Sequence, residues 1–167
     1  MKNRKLTDNF SLYEFIESSL PKQAVDLNWQ HIDQFSVNLH TWESLAVELQ
    51  KIRNIINLEY RQGNGGREIA LKLTSAFRCK EWELIRGRTG SSQHCVGVAA
   101  DIQPLNCSNS LAVEIMQWLY SRHHSRHNGW NGGFAIKQPT YTQGGIIEKI
   151  GFLHYDLRGY PARWEYL

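Results

Sequence analysis

Hydrophobic positions change their period along the chain. Between residues 42 and 56, Trp42, Leu45, Ala46, Leu49, Ile52, Ile55 and Ile56 recur at intervals of three and four. That is one stripe of an amphipathic helix, beginning after Thr41. Upstream, Ser11-Leu-Tyr-Glu14 has the form of a capping box and predicts a short helix reaching about residue 18, with Pro21 ending it. Gln62-Gly-Asn-Gly-Gly66 breaks the chain. From residue 69 the character shifts. Residues 69–77 read as a strand, 81–86 as a short helix and 88–92 as a loop. Residues 98–103 form a strand of small residues that Pro104 is expected to stop. A third long helix runs over about 109–121, with Leu111, Ile115, Trp118 and Leu119 on one face, before a polar Gly-rich stretch at 125–133. Residues 134–136 and 151–157 read as the final strands. Helices lead and strands gather late, which predicts an α+β fold with a small antiparallel sheet packed against several helices. The expected organisation is a single domain over 1–167, with a helical N-terminal part (1–65) of unassigned role and a core (66–167).

Composition changes this picture little. The chain has 167 residues, 41% of them hydrophobic and 21% charged, enough for one globular core and too apolar for wholesale disorder. No apolar run approaches the length of a membrane span. The basic N-terminus leads into no apolar stretch with a cleavage pattern, so no secretory signal is expected. A net charge of +3 is too mild to argue for nucleic acid, though it suits an anionic polymer such as a bacterial wall. Cys79, Cys95 and Cys107 are odd in number and none lies in a C-x-x-C, so free thiols are expected rather than bridges. A zinc site built from Cys79, His94, Cys95 and Cys107 fits no structural spacing.

The densest chemical signal is Ser92-Gln-His94-Cys-Val-Gly97-Val-Ala-Ala-Asp101. A histidine ends a Gly/Ser loop, and an aspartate follows inside a strand of small residues. Further on, Phe152-Leu-His154-Tyr-Asp156-Leu-Arg158 sets His154, Asp156 and Arg158 on one strand face. Imidazole and carboxylate are ordinary zinc ligands, and a catalytic zinc takes three from the protein. His94, Asp101 and His154 supply that set, with Zn2+ as the expected cofactor. Singly, each has a plainer reading: a loop histidine, a strand-end turn former and a half-buried strand histidine.

These motifs, with Ser75-Ala-Phe-Arg78 before them and Gly159 after, resemble the zinc D-Ala-D-Ala carboxypeptidase/endolysin family of metallopeptidases. In its metal core that family is itself similar to hedgehog amino-terminal domains. The resemblance runs from about residue 71 to 164. It implies His94, Asp101 and His154 as zinc ligands, Arg78 as a cation near the substrate's carbonyl or carboxylate, and Ser92 as a polar neighbour of the scissile bond. It implies hydrolysis of an amide in the peptidoglycan stem peptide, and a phage virion or host cytoplasm before lysis as the setting. Arg158, facing the same way as His154, is a further candidate substrate contact. Arg78 has a structural alternative, as a brace for the metal loop.

One departure stands out. Many members carry Glu-x-x-His, and here the residue three before His154 is Gly151. Two carboxylates are left as candidate general bases: Asp156, two residues past His154 and the favoured one, and Glu148, at the hedgehog-type spacing. Asp156 also has the alternative role of orienting a ligand histidine or pairing with Arg158. The departure keeps a second function open, a catalytically inactive, zinc-stabilised wall-binding or virion structural module. Two weaker constellations remain. His123 and His127 are four apart in Arg122-His-His-Ser-Arg-His127, and read better as a solvated helix end than as a metal clamp. Trp130, Trp164, Tyr141, Tyr155, Tyr160 and Tyr166 read either as the floor of a peptide or sugar groove or as core.

Overall fold

The computed structural model describes residues 3–35, 39–126 and 132–166. In chain order the elements are α1 (Leu12–Glu17), α2 (Lys22–Phe35), α3 (Leu39–Tyr60), β1 (Ala70–Ser75), α4 (Lys80–Ile85), β2 (Ala99–Leu105), α5 (Asn109–Arg126), β3 (Gly133–Lys137), β4 (Thr140–Tyr141), β5 (Ile147–Lys149), β6 (Phe152–Asp156) and β7 (Ala162–Tyr166). They fall into two compact units, residues 1–51 with 73–100 and residues 52–72 with 101–167; the divisions fall within α3, β1 and β2. Among the described residues no helix is long and apolar enough to cross a membrane.

In the first unit, the Glu14 carboxylate accepts from the Ser11 N–H at 2.7 Å and from its hydroxyl at 2.9 Å, within the expected capping box that opens α1. Pro21 does follow α1, but its carbonyl also accepts from the N–H groups of Ala24 and Val25 and so opens α2. The sequence pattern hides that helix, because its inward positions are Ala24, Asn28 and Ile32, a stripe with a polar residue at its centre. Asn28 is fully buried and fully engaged. Its amide donates to the carbonyls of Ile16 (2.9 Å) and Phe77 (2.8 Å), and its oxygen accepts from the Cys79 N–H at 2.9 Å. Three backbone groups of two separate segments are thereby satisfied by one side chain. In α3, Trp42, Leu45, Ala46 and Leu49 are wholly buried, as the period predicts. Burial of large apolar side chains like these is worth about 1.5–3 kcal/mol each.

In the second unit, Ile52 and Ile56 continue the buried stripe, while Ile55 is turned outward and is 48% exposed. Helix α5 packs on β3 and β6 through a stripe of Ala112, Ile115, Met116 and Leu119. Trp118 sits at its margin, edge-on to Tyr60.

The fold is α+β, as expected, but the sheet is mixed rather than antiparallel. Its five strands run in the order β1-β2-β6-β3-β7. Strand β3 pairs antiparallel with β6 and parallel with β7. The chain leaves β6, crosses the start of β3 through residues 157–161, and comes back on the far side as β7. Strand β7 escapes the sequence pattern because its alternation sets Trp164 and Tyr166 against exposed Arg163 and Glu165, with no aliphatic run to mark it. Strand β2 also departs from expectation. It continues through Pro104 to Leu105, because a proline one residue from a strand's end removes a donor the ladder barely needs. β4 and β5 form a separate two-stranded sheet.

Candidate metal centre

His94 is turned inward by a tightly wound loop. Its N–H is capped by the Ser92 hydroxyl at 3.2 Å. Around it, Cys95 N–H donates to Ser92 C=O, Gly97 N–H to His94 C=O, and Val98 N–H to Gln93 C=O. Gly97 has φ +76°, and a Cβ there would lie 2.6 Å from Nε1 of Trp42, so conformation and close approach both require glycine. Nδ1 of His94 is 2.6 Å from the carbonyl oxygen of Ala76. A carbonyl only accepts, so Nδ1 carries the proton and Nε2 is the nitrogen with a lone pair that could ligate a metal. The Ala76 segment is itself anchored: Asn28 holds Phe77 and Cys79, and the Arg78 N–H donates to His94 C=O.

Asp101 follows the two small buried residues Ala99 and Ala100 on β2. His154 lies at the middle of β6, with each ring nitrogen against a carboxylate: Nδ1 is 2.9 Å from Oδ1 of Asp101, and Nε2 is 2.9 Å from Oδ2 of Asp156. His94, Asp101, His154 and Asp156 are at most 6% exposed. One ligand atom each from His94, Asp101 and His154 lies within 4.8 Å of the other two. The donor chemistry suits a metal ion: two imidazoles with their remote nitrogens fixed by acceptors and one carboxylate, all shielded from water. Without a metal, burial pushes the His154 imidazole toward lower pKa. Hydrogen bonding and attraction to Asp101 and Asp156 outweigh that, and its pKa is raised above the ordinary 6.5. When protonated, the ring donates from both nitrogens.

The register explains how these side chains meet. Ala135 of β3 stands between His154 and Trp164, and Gly133 stands between Asp156 and Ala162. Because the middle strand offers only small residues there, groups from β6 and β7 reach across it; the His154 and Trp164 ring centroids are 5.2 Å apart. A Cβ on Gly133 would fall 2.7 Å from Cγ of Asp156 and 2.8 Å from Nε of Arg158. Instead the Gly133 N–H donates to Oδ1 of Asp156 at 2.8 Å. Arg158 completes the shell. Its Nε bonds Oδ1 and Oδ2 at 2.9 and 3.1 Å, its Nη2 bonds Oδ2 at 2.6 Å, and its backbone N–H bonds Oδ1 at 3.1 Å. Burial alone would raise the pKa of Asp156. The bonds from His154 and Arg158 win, and the carboxyl is held well below the usual range.

The other expected site residues are placed as follows. Arg78 is nearly buried, with Nη1 on the Ser75 hydroxyl at 3.0 Å and Nε 3.0 Å from the buried Glu83 carboxylate, which Arg88 also bonds at 2.9 Å. Its side chain thus links β1 to α4, and only its backbone N–H reaches the His94 turn. Ser92 caps the same turn. Glu148 is exposed on β5, with the Thr140 hydroxyl at 3.5 Å. Gly151 has φ +75°, and a Cβ there would overlap the carbonyl oxygen of Lys137. The position three before His154 therefore admits no glutamate. Of the aromatic candidates, Tyr155 is core on the opposite sheet face, Trp164 and Tyr166 flank His154, and Tyr141 and Tyr160 are exposed. His127, Trp130 and the side chain of His123 lie outside the described residues. All three cysteines are free, with burial pushing each thiol up. Asn28 and Gly133 support the site and were not singled out from sequence; for Asn28 the only signal was a polar residue at a helix's inward position.

Compared with known proteins, the chain matches no family model, and it has no significant match among curated sequences or solved structures.

Proposed function

We propose that this chain is a zinc-dependent peptidase that hydrolyses an amide bond in the peptidoglycan stem peptide, as a D,D-carboxypeptidase or an endopeptidase. The observation that carries the reading is the buried His94–Asp101–His154 group, in which both histidines have the nitrogen remote from the metal fixed by an acceptor. Three protein ligands from two imidazoles and a carboxylate are the set used by hydrolytic zinc sites. Zinc held by these three residues would supply Lewis acidity toward the scissile carbonyl and toward an attacking water near neutral pH. The substrate class comes from the motif resemblance.

The chain's own residues divide the remaining work. Ala76 and Asp156 fix the imidazole tautomers, and Asp101 adds the negative charge. Asp156 is not suited to accept water's proton, because its two oxygens already take bonds from Gly133, His154 and Arg158. In this reading the proton falls to Glu148, the other carboxylate that the sequence offers.

Gly151 favours a second reading, the catalytically inactive zinc-stabilised module, since the base common in the family is sterically excluded. Incubation with purified peptidoglycan, with and without chelator, separates them. Metal-dependent release of free amines supports the peptidase; retention on the wall without release supports the module.

A further inference from the structure

We infer that Arg158 is a positioning residue that sets the ligating nitrogen of His154 through Asp156, rather than a contact for substrate. The inference rests on the metal-binding part of the reading above. Arg158 reaches both carboxylate oxygens of Asp156 through Nε and Nη2, adds a fourth bond from its own backbone N–H, and is only 15% exposed at its side chain. The guanidinium is further fixed by stacking, 4.8 Å from the Trp164 ring centroid and 5.5 Å from that of Tyr160. A fork with its face covered and its Nε and Nη2 held by one carboxylate would have to give up those bonds to turn onto a ligand. Its effect is transmitted instead. Asp156 cannot shift toward β3, because Gly133 donates to it from the backbone at van der Waals range. Its remaining function is to accept from Nε2 of His154. That bond orients the ring and presents Nδ1 beside Asp101. Partners of this kind, one bond removed from the ligand, change metal affinity by about 10–100-fold when lost.

The test is Co2+ binding, read by equilibrium titration and by the visible absorption of the loaded protein, in the parent and in Arg158→Lys and Arg158→Gln. Lysine keeps the charge but not the two-point fork. Both variants are expected to bind Co2+ more weakly, by up to about 10-fold, with altered visible bands, and lysine is expected to be the milder. Parent affinity and parent bands in a folded variant overturn the inference. Absence of Co2+ binding in the parent overturns the metal reading itself. A readout on the unaltered protein covers poor folding of the variants. The Nε–H resonance of Arg158 should exchange slowly and shift as Zn2+ is added, and an unshifted, fast-exchanging signal overturns the inference.

Discussion

Nε2 of His154 lies 2.9 Å from Oδ2 of Asp156, two residues along the same strand and on the same face. A side chain at that offset usually stands roughly 7 Å away along the strand. Here the ring and the carboxylate lean together, because Gly133 leaves room beside Asp156 and Arg158 pulls its oxygens into line. Removing the acceptor while keeping the shape, by Asp156→Asn, is expected to weaken metal binding about 10-fold or more without unfolding the chain. Competition against a chelator of known affinity measures this.

The metal-free protein should have an unusual pH profile. The His154 pKa is raised above 6.5 by Asp101 and Asp156, so its contribution to stability is full below about 6.5 and fades as pH rises through the raised value. The Asp156 pKa is lowered from 3.8, so its contribution is present above about 3.8 and is lost as pH falls through the lowered value. Chelated protein should therefore melt lower at pH 8 than at pH 6. Metal must displace the Nδ1 proton of His154, so metal affinity should rise across that same interval. Titration calorimetry in two buffers of different ionisation enthalpy should record proton release on binding.

Gly151→Ala should be strongly destabilising. A Cβ there meets the backbone of Lys137 in a conformation with φ +75°, and neither can give way cheaply. A loss on the order of 3 kcal/mol is expected, of the size that marks backbone collision rather than a lost contact. Gly151→Glu should for the same reason fail to create a general base. Denaturant titration of the alanine variant checks the first statement.

Asn28→Leu should cost at least about 2 kcal/mol, because three buried backbone groups lose their only described side-chain partner while volume is kept. The damage should reach the metal centre, since Phe77 and Cys79 flank the residue whose N–H holds the His94 carbonyl. Thermal melts with and without Zn2+ would show a reduced metal-dependent gain.

Much of the site was legible in the chain, and for a physical reason. His94 and Asp101 stood out together in one motif and His154 in a His-x-Asp strand far along the chain, and the fold brings one ligand atom from each within 4.8 Å of the others. The helix α3 was legible because Trp42 to Leu49 obey one period. Helix α2 was hidden by Asn28, whose burial is repaid by bonds to segments far along the chain. Strand β7 was hidden because its inward residues are aromatic and its parallel partner β3 is distant in sequence. The role of Arg158 was hidden too, since its link to Asp156 depends on the smallness of Gly133 across the sheet.

Elemental analysis of the purified chain beside its His154→Ala variant tests the central claim most directly. About one zinc per chain is expected in the parent after Zn2+ is supplied and dialysed away, and little in the variant, with the parent alone gaining thermal stability. Full zinc in His154→Ala, or none in the parent, would contradict it.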